Sequence, residues 1–194
     1  NQITFCTGAA GTGKSHISVL KAIDMLFTGQ VDKIFITTPV VEADEKLGFL
    51  PGGVDEKLDP YTYSTMYLFE KILPKRKVEL LKERGAIKIM PLAYMRGINI
   101  DNAVVIAEEM QNCTPRQMKT FLTRIGSNAK FIISGDLEQQ DRYHANQKNT
   151  NGLYDAMQKF SRAEYKDIGV FQFDNEDIVR NPLIAKILEQ YKDV

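Results

Sequence analysis

At 194 residues with 43% hydrophobic content, the chain has the size of one domain with a full core, and none of its apolar runs approaches the roughly 18 residues that a membrane helix needs. Twenty-five basic residues balance twenty-five acidic ones, so no global field announces a nucleic-acid partner, and such a partner would have to be met by a local patch. The two cysteines, Cys6 and Cys113, read as reduced thiols rather than a disulfide framework, and with two histidines they share no zinc-like spacing. No signal-peptide architecture appears, and a soluble, cytoplasmic protein without a membrane partner is expected.

Short runs rich in β-branched residues predict strands at Ile3 to Cys6, Lys33 to Thr38, Ala86 to Met90, Ala103 to Ala107, Lys130 to Ser134 and Val170 to Phe173. Most are continuous rather than alternating, as in strands covered on both faces. Between them lie helical patterns. Ser15 to Phe27 sets Ile17, Leu20, Ile23 and Phe27 on one face, with Gly29 as a left-handed cap. Thr114-Pro115 opens a helix with Met118, Phe121, Leu122 and Ile125 as its buried stripe and Gly126 as its stop, and Asn181-Pro182 opens a last one. This alternation predicts an α/β fold: a mostly parallel sheet flanked by helices, binding ligand at the carboxyl ends of its strands. The whole of 1–194 reads as one domain, with a helical or loop insertion at about 39–84.

Directly after the first strand, Gly8, Ala9, Ala10, Gly11, Thr12, Gly13, Lys14 and Ser15 spell GAAGTGKS, an uninterrupted match to G-x-x-x-x-G-K-[ST]. Glycines let backbone N–H groups curl around phosphate oxygens, Lys14 reaches the β- and γ-phosphates, Ser15 ligates Mg²⁺, and the following helix adds its positive N-terminal dipole. Such a loop needs an acid-ending strand opposite it. The run Val104-Val105-Ile106-Ala107-Glu108-Glu109 supplies one, Glu108 to hold magnesium through a water and Glu109 to orient or deprotonate the hydrolytic water. The next strand leads into Gly135-Asp136-Leu137-Glu138-Gln139-Gln140-Asp141, where Gln139 is a candidate sensor of the γ-phosphate.

In these segments the chain resembles the PhoH-like ATPases, which are related to the core of superfamily-one helicases. The resemblance spans GAAGTGKS, VVEADEKLGFLPGG from Val40, PLAYMRG from Pro91, EEMQN from Glu108, TPRQMKTFLTRIG from Thr114, SGDLEQQD from Ser134 and DIVRNPL from Asp177. It implies a RecA-like three-layer sandwich, ATP hydrolysis with Mg²⁺ and a link to RNA. Lys14 and Ser15 match the phosphate lysine and magnesium hydroxyl, Glu109 the catalytic glutamate, Gln139 the phosphate-sensing glutamine and Arg180 a candidate arginine finger. Where the family usually has aspartate, this chain has Glu108.

Helicases of this type place ATP between two cores, and a chain with room for one implies a homo-oligomer, plausibly a ring, in which Arg180, or else Arg96 or Arg124, reaches the adjacent subunit's nucleotide. For single-stranded RNA, the basic cluster Lys71, Lys75, Arg76, Lys77, Lys82, Arg84 and Lys88 lies near Tyr61, Tyr63, Tyr67 and Phe69. Glu70, Glu79 and Glu83 interleave these cations, and pairing at helical spacing on a solvated face is the favoured reading. The leading function is a Mg²⁺-dependent ATPase coupled to RNA remodelling. A nucleotide-regulated assembly module with slow hydrolysis and a small-molecule kinase remain as alternatives, and no Asn-Lys-x-Asp segment supports a GTPase.

Overall fold

The six apolar runs become six strands: β1 (Ile3–Thr7), β2 (Lys33–Thr37), β3 (Ile87–Ile89), β4 (Ala103–Ala107), β5 (Lys130–Gly135) and β6 (Ile168–Gln172). In the computed structural model, which describes residues 1–39, 54–137, 151–162, 165–174 and 177, they form one sheet in the order β3-β2-β4-β5-β1-β6. Every pairing is parallel. All five residues of β4 are buried, as expected of a central strand covered on both faces. At the edge, β6 is half-exposed.

Among the described residues five helices accompany the sheet: α1 (Lys14–Phe27), α2 (Val54–Ile72), α3 (Lys75–Glu83), α4 (Pro115–Leu122) and α5 (Gly152–Phe160), and the helix expected from Asn181-Pro182 lies outside them. Two cores separate the layers. On one face Val19, Ala22 and Ile23 of α1, Phe69 of α2 and Val78 of α3 meet Ile34, Ile36, Val104 and Ile106. On the other, Met118 and Phe121 of α4 and Leu153 of α5 pack on Phe5, Val105 and Phe131, with Phe121 stacked on Phe131 at 4.8 Å. The architecture is therefore the α/β sandwich that the strand–helix alternation predicts, and the described part of the insertion is the helix pair α2–α3.

Two local expectations are corrected. Of the expected α1 stripe Ile23 is docked, but Ile17, Leu20 and Phe27 are 52%, 42% and 51% exposed, and Ser18, Val19, Ala22 and Met25 are buried in their stead. The phosphate loop sets this rotation. Ser15 faces β4 to meet Glu108, and residues three, four and seven positions on follow it onto the sheet side. Likewise α4 stops before Gly126, at Leu122 with Thr123 as its cap. Gly126 serves close approach instead: it donates to the Ile100 carbonyl at 2.9 Å, and a Cβ there would collide with the Asp101 carboxylate.

Among the described residues no helix is long and apolar enough to cross a membrane. Burial pushes the Cys113 thiol up to about 12, so it is held as an inert packing group beside the start of α5, where Gly152 donates to its carbonyl.

Candidate active site

Because β5 lies between β1 and β4, the connections that leave these three strands emerge side by side on the carboxyl edge of the sheet. GAAGTGKS leaves β1, Glu108-Glu109 leaves β4, and Asp136 leaves β5. Together they line a cavity of about 280 Å³, whose walls include Gly13, Lys14, Ser15, Glu108, Glu109 and Asp136. Gly13 adopts φ +86° as the N-cap of α1, a conformation suited to glycine, and no side chain caps the first turn. Its backbone donors are thus aimed at the cavity, an arrangement that favours an anion.

The charged groups are held in place from within. Lys14 Nζ donates to the carbonyls of Gly8 at 2.6 Å and Ala9 at 2.8 Å, bending over its own loop. Ser15 Oγ donates to Glu108 Oε2 at 2.7 Å. Glu108 is only 9% exposed, and its carboxyl is raised above the ordinary value chiefly by burial and also by the neighbouring Glu109 charge. The Ser15 and Ser134 hydroxyls and the Lys14 ammonium oppose that shift. Cys6, on the neighbouring stretch of β1, is raised by burial and by Glu108.

Glu109 behaves differently. It is exposed and sits at φ +54°, a left-handed conformation that a glutamate adopts only when its surroundings impose it. Gln111 holds it there. This side chain, 1% exposed, donates from Nε2 to Glu109 Oε2 at 2.6 Å and accepts at Oε1 from the backbone N–H of Asp136 at 3.2 Å. The acid after β4 is thereby tied to the chain leaving β5.

Among the described residues, the buried side-chain oxygens without a hydrogen-bond partner are Thr7 Oγ1, Thr37 Oγ1, Glu108 Oε1 and Asn112 Oδ1. All four lie at the ends of β1, β2 and β4 or in the turn after β4. Unmet hydrogen-bonding capacity in a native structure marks a place for water, ion or ligand. A scan against protein families matches the model described as PhoH-like protein over residues 1–192, nearly the whole chain.

The chain belongs to the PhoH family. It is 46% identical over 191 residues to a PhoH-like protein of Bacillus subtilis, covering 98% of this chain and 58% of that protein. It is 42% identical over 192 residues to protein PhoH of Escherichia coli K12, covering 98% and 53%, and 40% identical over 195 residues to a PhoH-like protein of Synechocystis, covering 99% and 57%. It thus spans little more than half the length of these relatives.

Within this PhoH-family chain, the phosphate loop, Glu108 and Glu109 line one cavity. Gln139 and Arg180 lie outside the described residues. Arg124 is engaged at home, donating to the carbonyls of Thr120 at 3.1 Å and Ile98 at 3.4 Å. Of the aromatic platforms, Phe69 is corrected: it is fully buried in the core, while Tyr63 and Tyr67 are exposed and stack on each other at 6.3 Å. The cations beside them find rings rather than the expected glutamates, Lys71 over Tyr67 at 4.7 Å and Lys77 over Phe27 at 5.4 Å. Among the described residues the salt bridges are Lys21–Asp24 and Lys159–Asp155. Sequence reasoning missed Gln111, Asp136 and Ser64, the last lining the cavity from α2. Gln111 and Asp136 stand inside quoted motifs, but only their tertiary contact gives them a role.

Proposed function

We propose that this chain binds and hydrolyses ATP with Mg²⁺ and couples that turnover to single-stranded RNA, in a homo-oligomer whose neighbouring subunit completes the site. The observation that carries this reading is the 2.7 Å contact of Ser15 Oγ with a buried Glu108 that still has one oxygen without a partner. A hydroxyl beside an acid fits a divalent cation, and the neighbouring backbone donors fit the phosphate that would share it. Among the described residues no three His, Cys, Asp or Glu side chains gather to hold a metal, so Ser15 and Glu108 would share the ion with phosphate oxygens and water. When bound, magnesium supplies positive charge against the phosphate oxygens as the terminal bond breaks.

In this reading the α1 donors and the loop take the phosphates, and the Lys14 ammonium turns from the Gly8 and Ala9 carbonyls to the β- and γ-phosphate oxygens. Glu109 orients the attacking water and accepts its proton at the carboxylate that Gln111 steadies. Gln139 senses the γ-phosphate, and Arg180 of a neighbouring copy stabilises charge as ADP leaves phosphate behind. A second cavity of about 380 Å³, with Thr7, Gly8, Asp136 and Phe173 among its walls, offers the nucleoside room on the β6 side of the loop.

The test is phosphate release from ATP and GTP, with and without Mg²⁺ and RNA, for the wild type and Glu109→Gln. Loss of a general base typically costs about 10²–10⁴-fold, so the variant should bind ATP yet turn over at least about a hundredfold more slowly. Tight nucleotide binding without turnover under any condition would leave the slow assembly module instead.

A further inference from the structure

On the face of the sheet opposite α1, a cavity of about 290 Å³ opens between α4 and the short 3-10 turn Leu92–Met95. Leu92 and Ala93 form its floor on one side, Gln117 and Thr120 line the α4 side, and Arg96 and Arg116 stand at its rim. Both arginines are exposed, and neither guanidinium belongs to an ion pair or hydrogen bond of the described residues. Gln117 is oriented: its Oε1 accepts from the Thr114 N–H at 2.8 Å in the capping box, which leaves the Nε2 donors for another partner. Beside the cavity, on the same turn, Tyr94 is 60% exposed.

We infer that this cleft is a seat for the backbone of single-stranded RNA, with Arg96 and Arg116 on successive phosphates, Gln117 donating to a phosphate or ribose oxygen, and Tyr94 as a stacking surface for a base. Two planar cations without carboxylate partners, flanking a cleft that also carries the Gln117 amide, match a phosphodiester chain in charge and fork geometry. An exposed ring next to them matches the sequence-tolerant stacking by which single strands are held. The α2–α3 face lacks this fit, since Lys71 and Lys77 already cover aromatic rings and Phe69 is buried.

Position gives the cleft a route to the nucleotide. The turn Leu92–Met95 begins just past the carboxyl end of β3, and α4 begins just past the 3-10 turn Met110–Asn112 that carries Gln111. A strand pulling on Arg116 therefore pulls on the turn that holds Glu109 in its left-handed conformation. This inference rests on the RNA-coupled reading above.

The experiment measures binding of a fluorescent oligouridine of about 20 nucleotides, longer than the roughly 4–16 that a single-strand module spans, to the 194-residue chain by anisotropy across a salt series. The compared proteins are the wild type, Arg96→Ala/Arg116→Ala and Lys75→Ala/Lys82→Ala, each checked for an unchanged melting temperature and oligomeric state. Removing two phosphate contacts should weaken binding about tenfold or more and lower the slope of log affinity against log salt by about 1.4, while the α3 pair should bind as wild type. If the wild type binds RNA and the arginine pair binds it equally well, or the α3 pair is the one that loses it, the cleft is not the seat and the RNA-coupled reading stands. If the wild type binds no RNA, that reading falls and this inference with it. A change of oligomeric state in the arginine pair with RNA binding intact would assign the cleft to a subunit interface and overturn the proposal.

Discussion

A carboxylate removed from water beside a second acid holds its proton more tightly than an exposed one, and Glu108 is in that position. Because its folded value lies above the unfolded value of 4.5, the folded state binds the extra proton, and stability falls as pH rises from about that value through the folded one. At neutral pH, holding this carboxyl in its buried place therefore costs the fold stability. Glu108→Gln should raise the melting temperature at pH 7 without ligand, flatten the decline of stability above pH 4.5, and lose Mg²⁺-dependent turnover; calorimetry across a pH series checks the first two. A lower melting temperature in the variant at pH 7 would mean that the Ser15 hydrogen bond outweighs the burial. Single residues of this kind were partly legible beforehand. The acids announced themselves by ending an apolar run, whereas Gln111 did not, since its role depends on the Asp136 N–H brought to it by β5.

At the scale of elements, the strands could be read because burial on both faces leaves an unbroken β-branched run, as in Ala103–Ala107. The rotation of α1 could not. Its sequence carries two overlapping apolar stripes, and the choice between them belongs to Ser15, whose partner Glu108 lies far along the chain. In α4 the start was legible from local chemistry and the end was not. Thr114 Oγ1 accepts from the Gln117 N–H at 3.2 Å and the Gln117 side chain accepts from the Thr114 N–H, a complete capping box followed by proline. Thr114→Ala removes half of it and should cost about 0.5–2 kcal/mol in urea unfolding, with the slope of the transition unchanged. A loss below a few tenths would show that Pro115 and packing against α5 fix the helix start without the cap.

For the molecule as a whole, the parallel sheet gathers three connections at one edge, and in the proposed function a neighbouring subunit completes the site that they line. Subunit mixing addresses that. Lys14→Ala chains and Arg180→Ala chains, each inactive alone, should recover hydrolysis when mixed if a finger acts across an interface, approaching about a quarter of the wild-type rate per site at equal ratio for random pairing of neighbours. Absence of recovery at every ratio would place Arg180 in its own subunit's chemistry or outside it.

The hold of Lys14 on its own loop bears on energetics in a further way. With its ammonium donating to the Gly8 and Ala9 carbonyls, the loop already has an internal guest, and in the proposed function an incoming phosphate exchanges partners rather than meeting an idle charge. In the proposed cycle such an exchange trims the enthalpy released on binding, so that product as well as substrate can be let go. A lysine that serves as placeholder between the proposed turnovers would make the site reusable.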